Sequence, residues 1–224
     1  MESFKGRVSH VINAAGVIDP NWDEKELFQI NFLLPANIIR AISHSDVRLV
    51  TFGTVLENIE SLNTSNAYLR SKLKLHDFIQ ENLNTNVLHL QMHTWYGGSK
   101  NPNHMFLGQV LDSIKNKTRF KMSSGNQLRE YHHISDDVEA LKHVLDSDFR
   151  GIVHISHGNP LRLKNLALAI FEYFDEMDLL EVGALPTFVN ENEEVYFQRH
   201  SIYDSVVFRD ALRGVPTWLG GLLK

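Results

Sequence analysis

The chain has 224 residues, 43% of them hydrophobic and 22% charged, with a formal net charge of −5 and a pI near 6.2; this suits a soluble protein of one large domain, or one domain with a smaller lobe, and speaks against nucleic acid as a partner. The absence of cysteine excludes disulfides, thiolate-bound zinc and thiol catalysis, and the 12 histidines show no HExxH-like spacing, so no metal is expected. The opening MESFKGRVSH has no apolar signal core, and no apolar run approaches the roughly 20 residues of a membrane span, so no membrane partner and a cytoplasmic location are expected.

In chain order, VSHVINAAG (8–16) reads as a buried strand running into a loop of small residues. Residues 23–45 have helical apolar spacing, with Pro35 as the expected kink or break. VRLVTF (47–52) reads as a second strand, 53–65 as a polar loop, and NAYLRSKLKLHDFIQENL (66–83) as a helix. VLHLQMH (87–93) is a third strand, followed by the loop TWYGGSKNPN. This alternation predicts a parallel sheet with right-handed crossovers, and it puts the chemistry in the loops after residues 13, 52 and 92. Beyond it, helices are expected at 104–117, 135–147 (capped by Ser135) and 161–174, with strands at 119–122 and 151–156.

The helix at 66–83 carries Tyr68 and Lys72 four residues apart, hence side by side. An ammonium beside a phenol stabilises phenolate and lowers the tyrosine pKa, which suits it to exchange protons near neutrality. The plain alternative is an exposed tyrosine beside a solvated lysine, since the spacing alone is common.

The surroundings of this pair add weight. HVINAAG is similar to the pattern ViHlAa, and Asn31 in FQINFLLPANIIRA sits like the Asn of N..gt.nll.a. VRLVTFGTVLE is similar to v..SS..vYG, YLRSK to YxxxK, LHLQMHTWYGG to lRl.nvYGp, LREYHHISDDVEAL to R.fvhV.Dva.a, and FRDALRGVPTWL to k...LG..P. Together, in this order, these stretches resemble the NAD-dependent epimerase/dehydratase family, the extended branch of the short-chain dehydrogenase/reductases. The resemblance implies an α/β fold: an incomplete NAD(P)-binding Rossmann-like parallel sheet with a smaller C-terminal substrate lobe. It implies a truncated Rossmann-like domain over residues 1–100 and mainly a substrate-binding lobe over 101–224, with some elements returning to the first domain.

It also implies roles. Tyr68 would be the acid/base, and Lys72 would hold both Tyr68 and the nicotinamide ribose. Ala14, Ala15 and Asn31 would lie against NAD or NADP, and Thr94, Arg129 and Arg199 would contact a nucleotide-sugar. A guanidinium suits the phosphates, although Arg129 has Glu130 and Asp136 nearby in sequence as alternative surface partners. His133 reads as a packed structural histidine, Asp137 as a carboxylate suited to a helix start, and Trp95 as a packing residue.

Three departures qualify the resemblance. The family opens with a strand, a GxxGxxG turn and a helix for the cofactor pyrophosphate; this sequence begins at what would be the fourth strand, about 60 residues in by the length of two βαβ units, so weak cofactor binding by the chain as it stands is expected. The catalytic hydroxyl position falls at Phe52, leaving Thr54 either to take the role or to cap the loop. Gly53 and Thr54 offer no carboxylate where dehydratases carry two, and Gln91 stands where Arg is frequent. The expectation is a nucleotide-sugar epimerase or 4-keto reductase, with a homodimer as its expected assembly, serving surface polysaccharide synthesis; its rival is a non-catalytic remnant or nucleotide-sugar-binding protein.

Overall fold

The computed structural model describes residues 8–19, 21–59, 66–82, 85–99, 104–187 and 192–223. The ends of the expected loops at 53–65 and 94–103, and residue 83 of the expected helix, lie outside these. In chain order the strands are β1 His10–Asn13, β2 Arg48–Thr54, β3 Val87–Met92, β4 Thr94–Tyr96, β5 Phe120–Met122, β6 Leu128–Arg129, β7 Tyr131–His133, β8 Gly151–His154, β9 Leu161–Arg162 and β10 Leu180–Val182. The α-helices are α1 Glu24–Phe28, α2 Leu34–Ile42, α3 Ala67–Gln80, α4 Phe106–Asn116, α5 Ile134–Leu145, α6 Leu163–Tyr173 and α7 Ala211–Leu222. Two compact units emerge: Met1–Met92 with Leu145–Ile155, and His93–Val144 with Ser156–Lys224.

The first unit holds a four-stranded parallel sheet of order β1-β2-β3-β8. Every residue of β3 is buried, as expected of a central parallel strand covered on both faces. Phe32, Ala36 and Ile39 of the first helical stretch meet Leu75 and Ile79 of α3 over Leu49 and Val87 of the sheet. Pro35 has the effect anticipated from its missing N–H, one step upstream. The segment 24–42 is broken by a π-turn over Gln29–Leu33, in which Leu34 N–H reaches Gln29 C=O, and Pro35 opens α2. A proline is tolerated in a first helical turn, where its N–H has no partner to lose.

Among its described residues, the second unit contains three two-stranded ladders, β4/β7 and β5/β10 parallel and β6/β9 antiparallel. Its core gathers Leu107, Val110 and Ile114 of α4, Leu166, Ile170 and Phe171 of α6, and Val215 and Leu219 of α7. Two expectations are corrected here. The stretch after β3 is not all loop, because Thr94–Tyr96 pairs with β7. α5 starts at Ile134, so Ser135 lies inside it rather than capping it, its hydroxyl bonded to His133 Nδ1 at 2.8 Å. α7 forms although it contains Gly214 and Pro216. A Cβ at Gly214 would sit 2.1 Å from the Tyr96 hydroxyl, so the packed ring requires glycine there.

Candidate functional site

α3 is positioned at its start by Asn66, whose side chain accepts from Leu69 N–H at 2.7 Å. Leu69, Leu75 and Ile79 anchor the helix in the core, which leaves Tyr68 and Lys72 on an adjoining face. Lys72 is buried, with 8% of its surface exposed. Its ammonium lies 5.9 Å from the Tyr68 ring centre and donates to Phe52 C=O at 2.8 Å. Burial lowers the Lys72 pKa, with Glu57 pulling the other way. Tyr68 departs from the expectation. Its pKa is raised well above the ordinary tyrosine value, first by burial and then by the Glu57 carboxylate. In this state, without substrate or cofactor, Tyr68 is a protonated phenol.

A hydrogen-bond chain fixes the surroundings. Asn31, fully buried in the π-turn, accepts from Val17 N–H and donates to Val17 C=O, both at 2.9 Å. Its amide also donates to Ser71 Oγ at 3.0 Å, and Ser71 donates to Tyr68 C=O at 2.6 Å. The loop after β1 is thereby tied to the turn of helix that carries Tyr68. Ala14, Ala15 and Gly16 lie exposed in that loop, and a Cβ at Gly16 would stand 3.8 Å from Lys72 Nζ.

At the end of β2, the three residues around the expected hydroxyl position have separate tasks. Thr51 is fully buried and bonds His89 Nδ1 at 2.7 Å. Phe52 presents its carbonyl to Lys72. Thr54 caps the 3-10 turn Val55–Asn58, its side chain accepting from Leu56 N–H at 3.3 Å. Beneath them lies Glu57, which sequence reasoning passed over. It accepts from Thr54 N–H at 2.8 Å, from His89 Nε2 at 3.0 Å and from Gln91 Nε2 at 2.9 Å. Burial alone would raise its pKa, but the pull of His89 and these hydrogen bonds hold the carboxyl below the ordinary range. Alternation along β3 was the available signal, since it puts His89 and Gln91 on one face of a buried strand.

In the second unit, Thr94 opens β4, its N–H bonded to Glu130 C=O at 3.3 Å. Arg129 ends β6 half-buried and donates to Leu128 C=O at 2.9 Å. The carboxylates named as its alternative partners face elsewhere: Glu130 turns inward to His132, and Asp136 lies 3.5 Å from Arg209. Arg199 donates from Nη2 to the carbonyls of Tyr203 at 2.7 Å and Asp204 at 2.9 Å, and to that of Val206.

The buried histidine of this region is His132 rather than His133, which is half-buried against Tyr96. His132 stands between two carboxylates, Asp137 at 2.6 Å from Nδ1 and Glu130 at 3.0 Å from Nε2. Burial alone would lower its pKa, but these carboxylates raise it to about 9. Asp137 is thus not a simple helix-start carboxylate: it also accepts from the Trp95 indole N–H.

A family model for the NAD dependent epimerase/dehydratase family matches residues 1–155. The chain belongs to that family. Among solved structures, it is similar to the UDP-glucuronic acid 4-epimerase from Bacillus cereus in complex with UDP-glucuronic acid and NAD, at 11% identity and a TM-score of 0.75 over 99% of this chain and 77% of that one. It is similar to RMD from Pseudomonas aeruginosa complexed with NADPH, at 13% identity and a TM-score of 0.74 over 98% and 83%. It is also similar to the UDP-N-acetylglucosamine 4-epimerase from Methanobrevibacter ruminantium, at 12% identity and a TM-score of 0.74 over 99% and 77%. At these identities the likeness is one of fold: a Rossmann-like α/β architecture whose parallel sheet is partial here. No match was found among curated proteins. Among the described residues, no helix is long and apolar enough to cross a membrane.

Proposed function

We propose that this family member is an NAD(P)-dependent nucleotide-sugar epimerase or 4-keto reductase in which Tyr68 moves the proton. The observation that supports it most is the α3 pair: a tyrosine ring whose centre lies 5.9 Å from a buried lysine ammonium, backed by the Asn31–Ser71 chain. The nicotinamide-ribose half of a dinucleotide suits the residues present. A lysine ammonium has three donors, and among the described residues the recorded acceptor for Lys72 is Phe52 C=O alone. A vicinal diol would satisfy the others, with Ala14, Ala15 and Asn31 beside it. The pyrophosphate half has no such match, because no glycine-rich strand-to-helix turn occurs among the described residues. When bound, the nicotinamide supplies or accepts hydride at the sugar carbon.

Tyr68 donates its proton to a ketone oxygen in the reductive direction. Lys72 stabilises the phenolate left behind, and Thr54, whose hydroxyl hydrogen is not used in capping, can hold the same oxygen. Thr94 and Arg129 contact the nucleotide-sugar, Arg129 at the phosphates, while Arg199 orders the 199–206 turn and so shapes that surface. Dehydration is disfavoured: the nearby carboxylate, Glu57, is already committed to His89, Gln91 and Thr54 N–H. A cytoplasmic homodimer supplying a surface-polysaccharide precursor is the setting that suits this chemistry.

The test is turnover of nucleoside-diphosphate 4-keto sugars with NADH or NADPH, and interconversion of 4-epimers with NAD. Tyr68→Phe should cut turnover about 10²- to 10⁴-fold, the usual worth of general acid–base catalysis, with binding of the nucleotide-sugar little changed. A loss smaller than threefold rejects Tyr68. A second reading, a nucleotide-sugar-binding protein without turnover, is favoured by Phe52 at the hydroxyl position. Calorimetric binding of UDP-sugars with no reaction in either assay would select it.

A further inference from the structure

We infer that His93, Glu130 and His132 form a site for one divalent transition-metal ion, with zinc the best suited. The argument begins with the β4/β7 ladder. Its register sets Thr94 opposite Tyr131 and Trp95 opposite His132, which places His93 opposite Glu130. Side chains alternate along a strand, so Glu130 and His132 share one side and His93 meets them from the neighbouring strand.

The convergence is close. His132 Nε2 lies 3.0 Å and His93 Nε2 3.8 Å from Glu130 Oε2, and one ligand atom from each of the three lies within 4.8 Å of the others. A tetrahedral zinc site with ligand bonds near 2.0–2.1 Å has ligand-to-ligand edges of about 3.3 Å. The two separations to Glu130 Oε2 lie on either side of that value, and an ion would draw the two histidine nitrogens together about it.

The donor set suits the same ion. Two imidazoles and a carboxylate are zinc ligands, and the fourth position is left to water or another oxygen. His132 has the outer partner a metal-bound histidine needs: Nδ1 faces Asp137 at 2.6 Å, which leaves Nε2 for the ion. Asp137 is itself held by the Trp95 indole.

An independent observation points to a cation as the ligand here. Glu130 is 1% exposed, yet among the described residues its Oε1 has no hydrogen-bond partner. A buried carboxylate oxygen left open in this way is costly. Oε2 is already engaged, since His157 N–H donates to it at 2.8 Å. The His157 ring stacks on His132 with centroids 4.8 Å apart and shields the cluster. Ser156 Oγ, 2.7 Å from His93 Nε2, is the group an entering ion displaces or recruits as its oxygen ligand. Sequence spacing could not reveal this set. Positions 93, 130 and 132 match no short metal motif and meet only through strand register.

The alternative is a metal-free cluster in which a proton on His132 bridges Glu130 and Asp137. Zinc titration of the chelator-treated 224-residue chain by calorimetry separates the two, with bound metal counted after desalting. The expected result is one zinc per chain at submicromolar dissociation constant, weakened at least 100-fold by His93→Gln and by Glu130→Gln, and about 10-fold by Trp95→Phe through the outer partner. His44→Gln, at an exposed surface position, should leave binding unchanged. Cobalt(II) in place of zinc should give the strong visible absorption of a tetrahedral site. No stoichiometric zinc overturns the inference, as does zinc whose affinity stays within threefold in both His93→Gln and Trp95→Phe. Since Trp95 is 42% exposed, its variant keeps the test valid if Glu130→Gln fails to fold.

Discussion

Glu57 illustrates how one side chain can set the electrostatics of its neighbours without being exposed. Its carboxylate, held low by His89 and three hydrogen-bond donors, adds to burial in keeping Tyr68 protonated and opposes the pull of burial on Lys72. The sign for stability follows. A carboxyl whose folded pKa is depressed stabilises the fold above its unfolded value, here the ordinary 4.5, and that contribution is lost as pH falls through the lower folded value. Gln in its place has one acceptor oxygen where three donors converge, so Glu57→Gln should cost about 1.5–3 kcal/mol at pH 7, the range for hydrogen bonds to a charged group. The gap between wild type and variant should narrow as pH drops below 4.5. Denaturant melts of both proteins at pH 7 and in the acid range check this; a gap independent of pH would show that the carboxylate charge is not what matters. Glu57 was hard to read from sequence because its partners come from β3, some thirty residues on.

At the scale of elements, periodicity and breakers carried the reading of the first unit. The alternation of apolar strand and amphipathic helix and Pro35 as interruption were visible locally, because each element's own residues specify it; the Asn66 cap was not separated from the helix it starts. What escaped was set by distant partners. β4 is three residues long and exists through β7. α7 contains three glycines and a proline that argue against a helix, and it holds because Val215 and Leu219 are buried and Gly214 admits Tyr96. The electrostatic reading of Tyr68 and Lys72 had the same weakness: spacing brings the pair together, but burial decides the direction of the tyrosine shift. The Asn66 cap offers a clean test at this scale. Asn66→Ala removes the acceptor of Leu69 N–H and should cost about 1 kcal/mol, typical of a lost N-cap. Asn66 is exposed, so no packing term confuses the measurement. Asn66→Asp should recover most of the loss in thermal melts; equal destabilisation by both variants would argue that the amide acts in another way.

For the whole molecule, the sheet edge at β1 has the largest consequence. Among the described residues β1 pairs with β2 alone, whereas β3, with partners on both sides, is entirely buried. Ile12 is 53% exposed on the face opposite Val11, which packs against the core. An apolar strand with one unpaired edge is a template for another strand, and charge on such a strand is the common natural defence. β1 has none in its centre, since His10, Val11, Ile12 and Asn13 include neither Lys nor Glu. We therefore expect this 224-residue chain to self-associate in a concentration-dependent way through β1. Ile12→Lys should reverse this without loss of melting temperature, because the side chain it replaces is already in water. Sedimentation velocity over a hundredfold range of concentration, on wild type and variant, decides it. A wild-type chain that stays monomeric throughout would reject the edge as a contact, as would a variant that associates as strongly as its parent.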